Sequence, residues 1–128
     1  MSVAVQIKNL LLNCDFSNVF STIPSALDCA EPIVVSAGEF KRKSRLHEEE
    51  RGSVPVDVLA VREVELDAEA IAVACEKAVR RADWEPYADS SKYRIVSMDS
   101  TAPAFRERDS SGRFVWDFKV DCTVVRSL

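Results

Sequence analysis

The chain has 128 residues, of which 47% are hydrophobic and 30% charged, with a formal net charge of −4. This is the size and balance of one globular domain with its own core, and it excludes disordered and fibrous classes. The acidic balance argues against a domain that coats nucleic acid, and no apolar run approaches the roughly 20 residues needed to span a bilayer.

The N-terminus, MSVAVQIKNLLLNCD, has no basic region before its apolar residues, so it does not read as a signal peptide. Val3, Ile7, Leu10, Leu11 and Cys14 follow the i, i+4, i+7, i+8 spacing of one buried helical stripe, with Ser2 as the expected cap. Residues 15–28 mix apolar side chains with turn formers, and a short strand is expected near Val19 to Ile23. The β-branched run Ile33, Val34, Val35 reads as the next strand.

The stretch that follows, FKRKSRLHEEERGS, has little apolar content and is expected as a solvated hairpin arm or loop over about 39–52. SVPVDVLAVREV then has high β propensity, and Pro55, which has no N–H to give, places the start of that strand at an edge or bulge. Asp67 is the expected cap of a helix to about Asp83, with Ala68, Ile71, Ala72, Cys75, Ala78, Val79 and Ala82 as its apolar stripe. The alanines predict close approach to a partner layer. Trp84 and Pro86 end that helix, and DWEPYADSSK reads as a loop.

Strands are expected at Tyr93 to Asp99 and Phe105 to Arg108, followed by an Asp-Ser-Ser-Gly turn in which Gly112 supplies a positive φ. In the last strand Phe114, Trp116, Phe118, Val120, Cys122 and Val124 point to the core. Val115, Asp117, Lys119, Asp121, Thr123 and Val125 point to a largely wet face. Strands grouped between helices and joined by hairpins predict one α+β domain over residues 1–128: an antiparallel or mixed sheet with two main helices on one face.

No catalytic constellation stands out. The three glycines (Gly38, Gly52, Gly112) are too far apart for a phosphate-binding loop, and there is no G-x-S-x-G elbow. His47, the single histidine, lies in the most charged stretch and reads as a solvated surface residue. Asp117 and Asp121 share a strand face but stand roughly 13 Å apart, too far for a glycosidase pair. The four cysteines (Cys14, Cys29, Cys75, Cys122) form no C-x-x-C pair and are expected as reduced thiols, with Cys75 and Cys122 buried. No metal, cofactor or enzymatic turnover is expected.

What remains is charge. Lys41, Arg42, Lys43 and Arg45 precede Glu48, Glu49 and Glu50, and they read as a solvated loop, as a partner-binding arm or as a phosphate-contacting nucleic-acid patch. Segregated opposite charges suit head-to-tail self-association, with the basic end of one copy meeting the acidic end of the next. Arg106, Arg108, Asp109 and Arg113 repeat the theme around a hairpin tip and could fit a neighbouring subunit.

The closing pattern P-x-F-x-x-x-D-x-S-G-R-F-V-W (Pro103, Phe105, Asp109, Ser111, Gly112, Arg113, Phe114, Val115, Trp116), followed by an alternating strand, resembles the small minor capsid or tail terminator (tail-completion) proteins of siphophages and prophages in Gram-positive bacteria. The similarity also takes in the N-terminal helix, FKRKSRLHEEERGSVPVDVLAVRE and VRRADWEP. The resemblance implies a structural α+β subunit, a monomer or a hexameric ring. Such a ring caps the tail-tube protein, meets the head–tail connector, and resides in the host cytoplasm during assembly and then in the virion. The same frame would serve a head–tail connector, or a non-viral adaptor module binding protein or nucleic acid.

Overall fold

The computed structural model describes residues 3–46, 48–82 and 93–127. Its elements run α1 (Val3–Asn13), β1 (Val19–Phe20), β2 (Ile33–Ala37), β3 (Lys41–Leu46), β4 (Glu49–Arg62), α2 (Glu65–Arg80), β5 (Tyr93–Ser100), β6 (Ala104–Arg108) and β7 (Phe114–Ser127). The fold is α+β, as the element order predicts: two helices against a seven-stranded mixed sheet.

The sheet is organised by β4 and β7, which pair antiparallel along their full lengths, from Glu49 opposite Ser127 to Arg62 opposite Phe114. Each has an outer edge shared by two shorter strands. Along β4, β3 pairs residues 49–53 and β2 pairs residues 56–60. Along β7, β6 pairs residues 114–117 and β5 pairs residues 120–126. β1 adds to β2 in parallel.

Pro55 therefore lies inside the sheet, not at an edge or bulge near the strand's start. Its carbonyl accepts a hydrogen bond from Gly38 N–H at 2.8 Å, so its missing N–H faces the same side. That side is the seam where β3 gives way to β2, and the ladder loses nothing there. Gly52, three residues earlier, is required by close approach: a Cβ would meet the Lys41 carbonyl oxygen and would lie 2.7 Å from Phe40 Cζ.

Both helices lie on one face. α1 buries Val3, Gln6, Ile7, Leu10 and Leu11, and α2 buries Ala68, Ala72, Cys75 and Val79. Beneath them the sheet presents Ile33, Val35, Val54, Val56, Val58, Ile95, Phe118, Val120, Cys122 and Val124 to the core. The small residues of α2 let its axis come close to β4 and β7.

Local differences from the expected elements have local causes. α1 stops one residue before Cys14. Asp15 takes a left-handed φ of 68°, Phe16 N–H donates to the Leu11 carbonyl and Asp15 N–H to the Leu12 carbonyl. This pair of bonds is a Schellman termination, with Phe16 as its hydrophobic closure, and it leaves Cys14 exposed rather than on the stripe. α2 starts two residues before Asp67, with Val64 at its N-cap and no side-chain cap, and Glu65 and Asp67 instead place negative charge in its first turn. Ser2, His47, Asp83, Trp84 and Pro86 lie outside the described residues, as does the whole of the DWEPYADSSK loop expected after α2.

The last strand departs most from simple alternation. Phe118, Val120, Cys122 and Val124 are buried, as expected, but Phe114 and Trp116 are only half-buried. On the face expected to be wet, Lys119 and Asp121 are exposed, yet Val115 and Val125 are buried. Val115 joins Val34, Leu59 and Val61 in a second, smaller apolar cluster. The β1–β2 connection is tied to this end of the sheet: the Cys29 and Ala30 carbonyls accept from Arg113 Nη1, and the Pro32 carbonyl accepts from Val61 N–H.

Candidate interaction surfaces

Two hairpins carry the charged residues singled out from the sequence, and the structure treats them differently. In the β6–β7 hairpin every one of those charges has a partner within the chain. Arg106 Nη1 donates to Asp117 Oδ2 at 3.0 Å. Arg108 Nε donates to the Gly112 carbonyl at 3.1 Å, and its guanidinium lies 4.9 Å from the centre of the Phe114 ring.

Asp109 closes the turn. Its carboxylate accepts from Ser111 N–H at 3.0 Å, Arg113 N–H at 2.9 Å and Arg113 Nε at 2.8 Å. Gly112, at φ 81°, donates its N–H to the Asp109 carbonyl at 3.0 Å. Desolvation acts to raise the Asp109 carboxyl, but the hydrogen bonds and charge of Arg113, with the Ser111 amide, hold it below its ordinary value of 3.8. The Arg113 side chain is 7% exposed. Its Nη1 reaches out of the hairpin to the carbonyls of Cys29 and Ala30, at 3.1 and 3.4 Å. The D-x-S-G-R sequence thus builds a turn and ties the β1–β2 connection to it.

The β3–β4 hairpin is the reverse case. Lys41, Arg42, Lys43 and Arg45 are exposed, and their side chains make no hydrogen bond or ion pair among the described residues. Glu48 and Glu49 are also exposed. Glu50 turns inward at 6% exposure and accepts from Arg126 Nη2 at 2.6 Å, while the Arg126 guanidinium lies 4.3 Å from the centre of the Phe40 ring. Arg45 pairs in register with Glu50, and Leu46 with Glu49. The basic and acidic halves therefore lie side by side in one hairpin and do not form separate ends of an arm.

A separate acidic end exists elsewhere, of which the sequence singles out Asp67 alone, as a helix cap. Directly after β4, Glu63, Glu65, Asp67 and Glu69 are all exposed, and none of their carboxylates is in an ion pair among the described residues. Val64 and Leu66, set between them, are 53% and 74% exposed. Alternation of acids with exposed apolar residues in EVELDAE was the available signal.

On the sheet face away from the helices, Asp57 stands in register with Lys119, and Asp99 with Asp121. An open groove of about 390 Å³ lies nearby, lined in part by Ile23, Ser36, Asp57, Leu59 and Arg106. Among the described residues no group of three or more His, Cys, Asp or Glu is disposed to hold a metal ion. Cys75 and Cys122 are buried, and burial pushes both thiols up to about 12. No helix among the described residues is long and apolar enough to cross a membrane.

A mixed sheet with two long central strands, both helices on one side and charged hairpins at its margins defines a small α+β domain whose distinctive chemistry lies on its surface. The same fold occurs in a chain of the "Virion of native gene transfer agent (GTA) particle", which superposes with a TM-score of 0.68 at 15% identity, covering 97% of this chain and 95% of that one. No family model matches the sequence, and no curated protein matches it.

Proposed function

We propose that this protein is a structural subunit of a phage-like particle, and specifically the tail terminator: a minor virion protein that assembles as a ring of six copies on the head-proximal end of the tail tube. The observation that carries this reading is the near end-to-end sharing of fold with a gene transfer agent virion chain. The P-x-F…D-x-S-G-R pattern, now seen as a closed turn, adds to it. A terminator must satisfy the open face of the last tube ring and present a different face outward. A sheet with two distinct edges, with charges at two separate places that have no ion pair among the described residues, suits that task, which calls for no substrate, metal or cofactor.

The test is direct. Tail tubes polymerised without a terminator are mixed with the purified protein and viewed by electron microscopy. A ring at one end of each tube, with growth arrested, is the expected result; tubes that lengthen unchanged with no bound protein overturn it. Binding to the head's connector but not to tubes would instead favour the connector reading.

A further inference from the structure

Two groups of charges that have no ion pair among the described residues sit at opposite ends of one strand. β3 pairs with the start of β4, at residues 49–53, and the acidic segment begins where β4 ends, at Arg62. Ten residues of extended chain separate Gly52 from Arg62, roughly 33 Å at about 3.3 Å per residue. Lys41, Arg42, Lys43 and Arg45 of β3, whose hairpin also carries the exposed acids Glu48 and Glu49, stand against four acids at the other end: Glu63, Glu65, Asp67 and Glu69. They cannot meet within one molecule.

The acidic patch is more than a helix start. Glu65 and Asp67 do complement the N-terminal end of the α2 dipole. That accounts for the acids, but not for Val64 and Leu66 standing in solvent between them. Acids interleaved with exposed apolar side chains suit a surface that receives long basic side chains, whose aliphatic stems cover the apolar groups while their heads reach the carboxylates. β3 supplies such side chains from an edge strand, whose only described strand partner is β4.

We propose that β3 of one copy docks on the Glu63–Glu69 segment of a second copy, head to tail. The chain carries a net charge of −4, so copies repel at long range, and a contact confined to opposite patches selects a single orientation. A contact between two different patches is heterologous and propagates, closing into a ring where the rotation allows. This deepens the terminator reading and rests on it for its setting.

The experiment uses the full chain and two charge-reversed variants. One carries K41E, R42E, K43E and R45E; the other carries E63K, E65K, D67K and E69K. Association is followed by analytical ultracentrifugation up to millimolar protein, at low and high salt, with thermal unfolding of each variant as a folding control. The wild type should self-associate, and less so as salt rises. Either variant alone should associate about ten- to a hundredfold more weakly, the combined effect of four exposed ion pairs. An equimolar mixture should recover association, because each variant then meets a partner of opposite sign at both patches.

Unchanged association of either variant, or no recovery on mixing, overturns the proposal. So does a wild type that stays monomeric throughout, or a β3 that captures duplex DNA in place of a second copy. Rings on tail tubes that form regardless of these charges would refute the contact and leave the terminator reading standing. Charge-dependent chains that ignore tubes would do the opposite.

Discussion

Replacing Arg113 by alanine tests the central local claim, that D-x-S-G-R is an internal fastening. The side chain is 7% exposed and makes one bond to Asp109 Oδ2 at 2.8 Å and two to the Cys29 and Ala30 carbonyls at 3.1 and 3.4 Å. A charge-assisted bond is worth about 1.5–3 kcal/mol and each carbonyl bond adds up to about 1, while removing the guanidinium also removes its own desolvation cost. The net loss should be about 2–3 kcal/mol, or about 8–12 °C in Tm for a chain of this length. Asp109 keeps the Ser111 and Arg113 amides, so the turn should persist while the β1–β2 connection comes loose.

Two assays separate these effects. Urea unfolding reads the global loss. Thiol trapping of Cys29, which is half-buried beside the fastening, reads local release, with exposed Cys14 as the internal reference. The variant should label faster at Cys29 and equally at Cys14.

The pH dependence has a definite sign. The folded carboxyl of Asp109 lies below its ordinary 3.8, so its stabilisation is complete above that value and is lost as pH falls through the folded value. The alanine variant has less of this stabilisation to lose, so the stability gap between wild type and variant should narrow in acid below 3.8. A variant with wild-type stability and unchanged Cys29 labelling would refute the fastening.

Replacing Gly52 by valine should cost about 2 kcal/mol or more and speed amide exchange over 41–53, because the new side chain meets the Lys41 carbonyl and the Phe40 ring. Phe118 is 1% exposed, so its replacement by alanine should cost about 3–5 kcal/mol; half-buried Trp116, in edge contact with Phe105 at 6.4 Å between ring centres, should cost about 1–2. Denaturant midpoints compare the two, and equal losses would contradict the difference in burial. At pH 8, alkylation followed by mass spectrometry should modify Cys14 in the native protein and spare Cys75 and Cys122, whose thiols are buried and pushed up to about 12.

Much of the frame was legible because it follows from periodicity. The α2 stripe through Ala68, Ala72, Cys75 and Val79, the alternation from Phe118 to Val124, and the positive φ of Gly112 are local signals, and each appears where the spacing places it. What could not be read depends on which segments become neighbours. Alternation assigns Val115 to the outer face correctly, but cannot say that it is buried there beside Val34, Leu59 and Val61. Pro55 looks like an edge residue until β2 and β3 are known to share one side of β4. Among the candidate surface residues, spacing separated charged from apolar positions but not engaged from free ones. Arg113 and Arg42 look alike in sequence; one is held by partners distant in the chain and the other has none among the described residues.

The pairing of β4 with β7 has a mechanical consequence. Fourteen consecutive residue pairs join the two strands from end to end. A pull directed along them loads every rung at once, whereas a pull across them unzips one rung after another. Under tension parallel to these strands the domain resists through its whole length. The two short margins, interrupted at Pro55 and at the 101–103 connection, would yield first and leave the central pair intact.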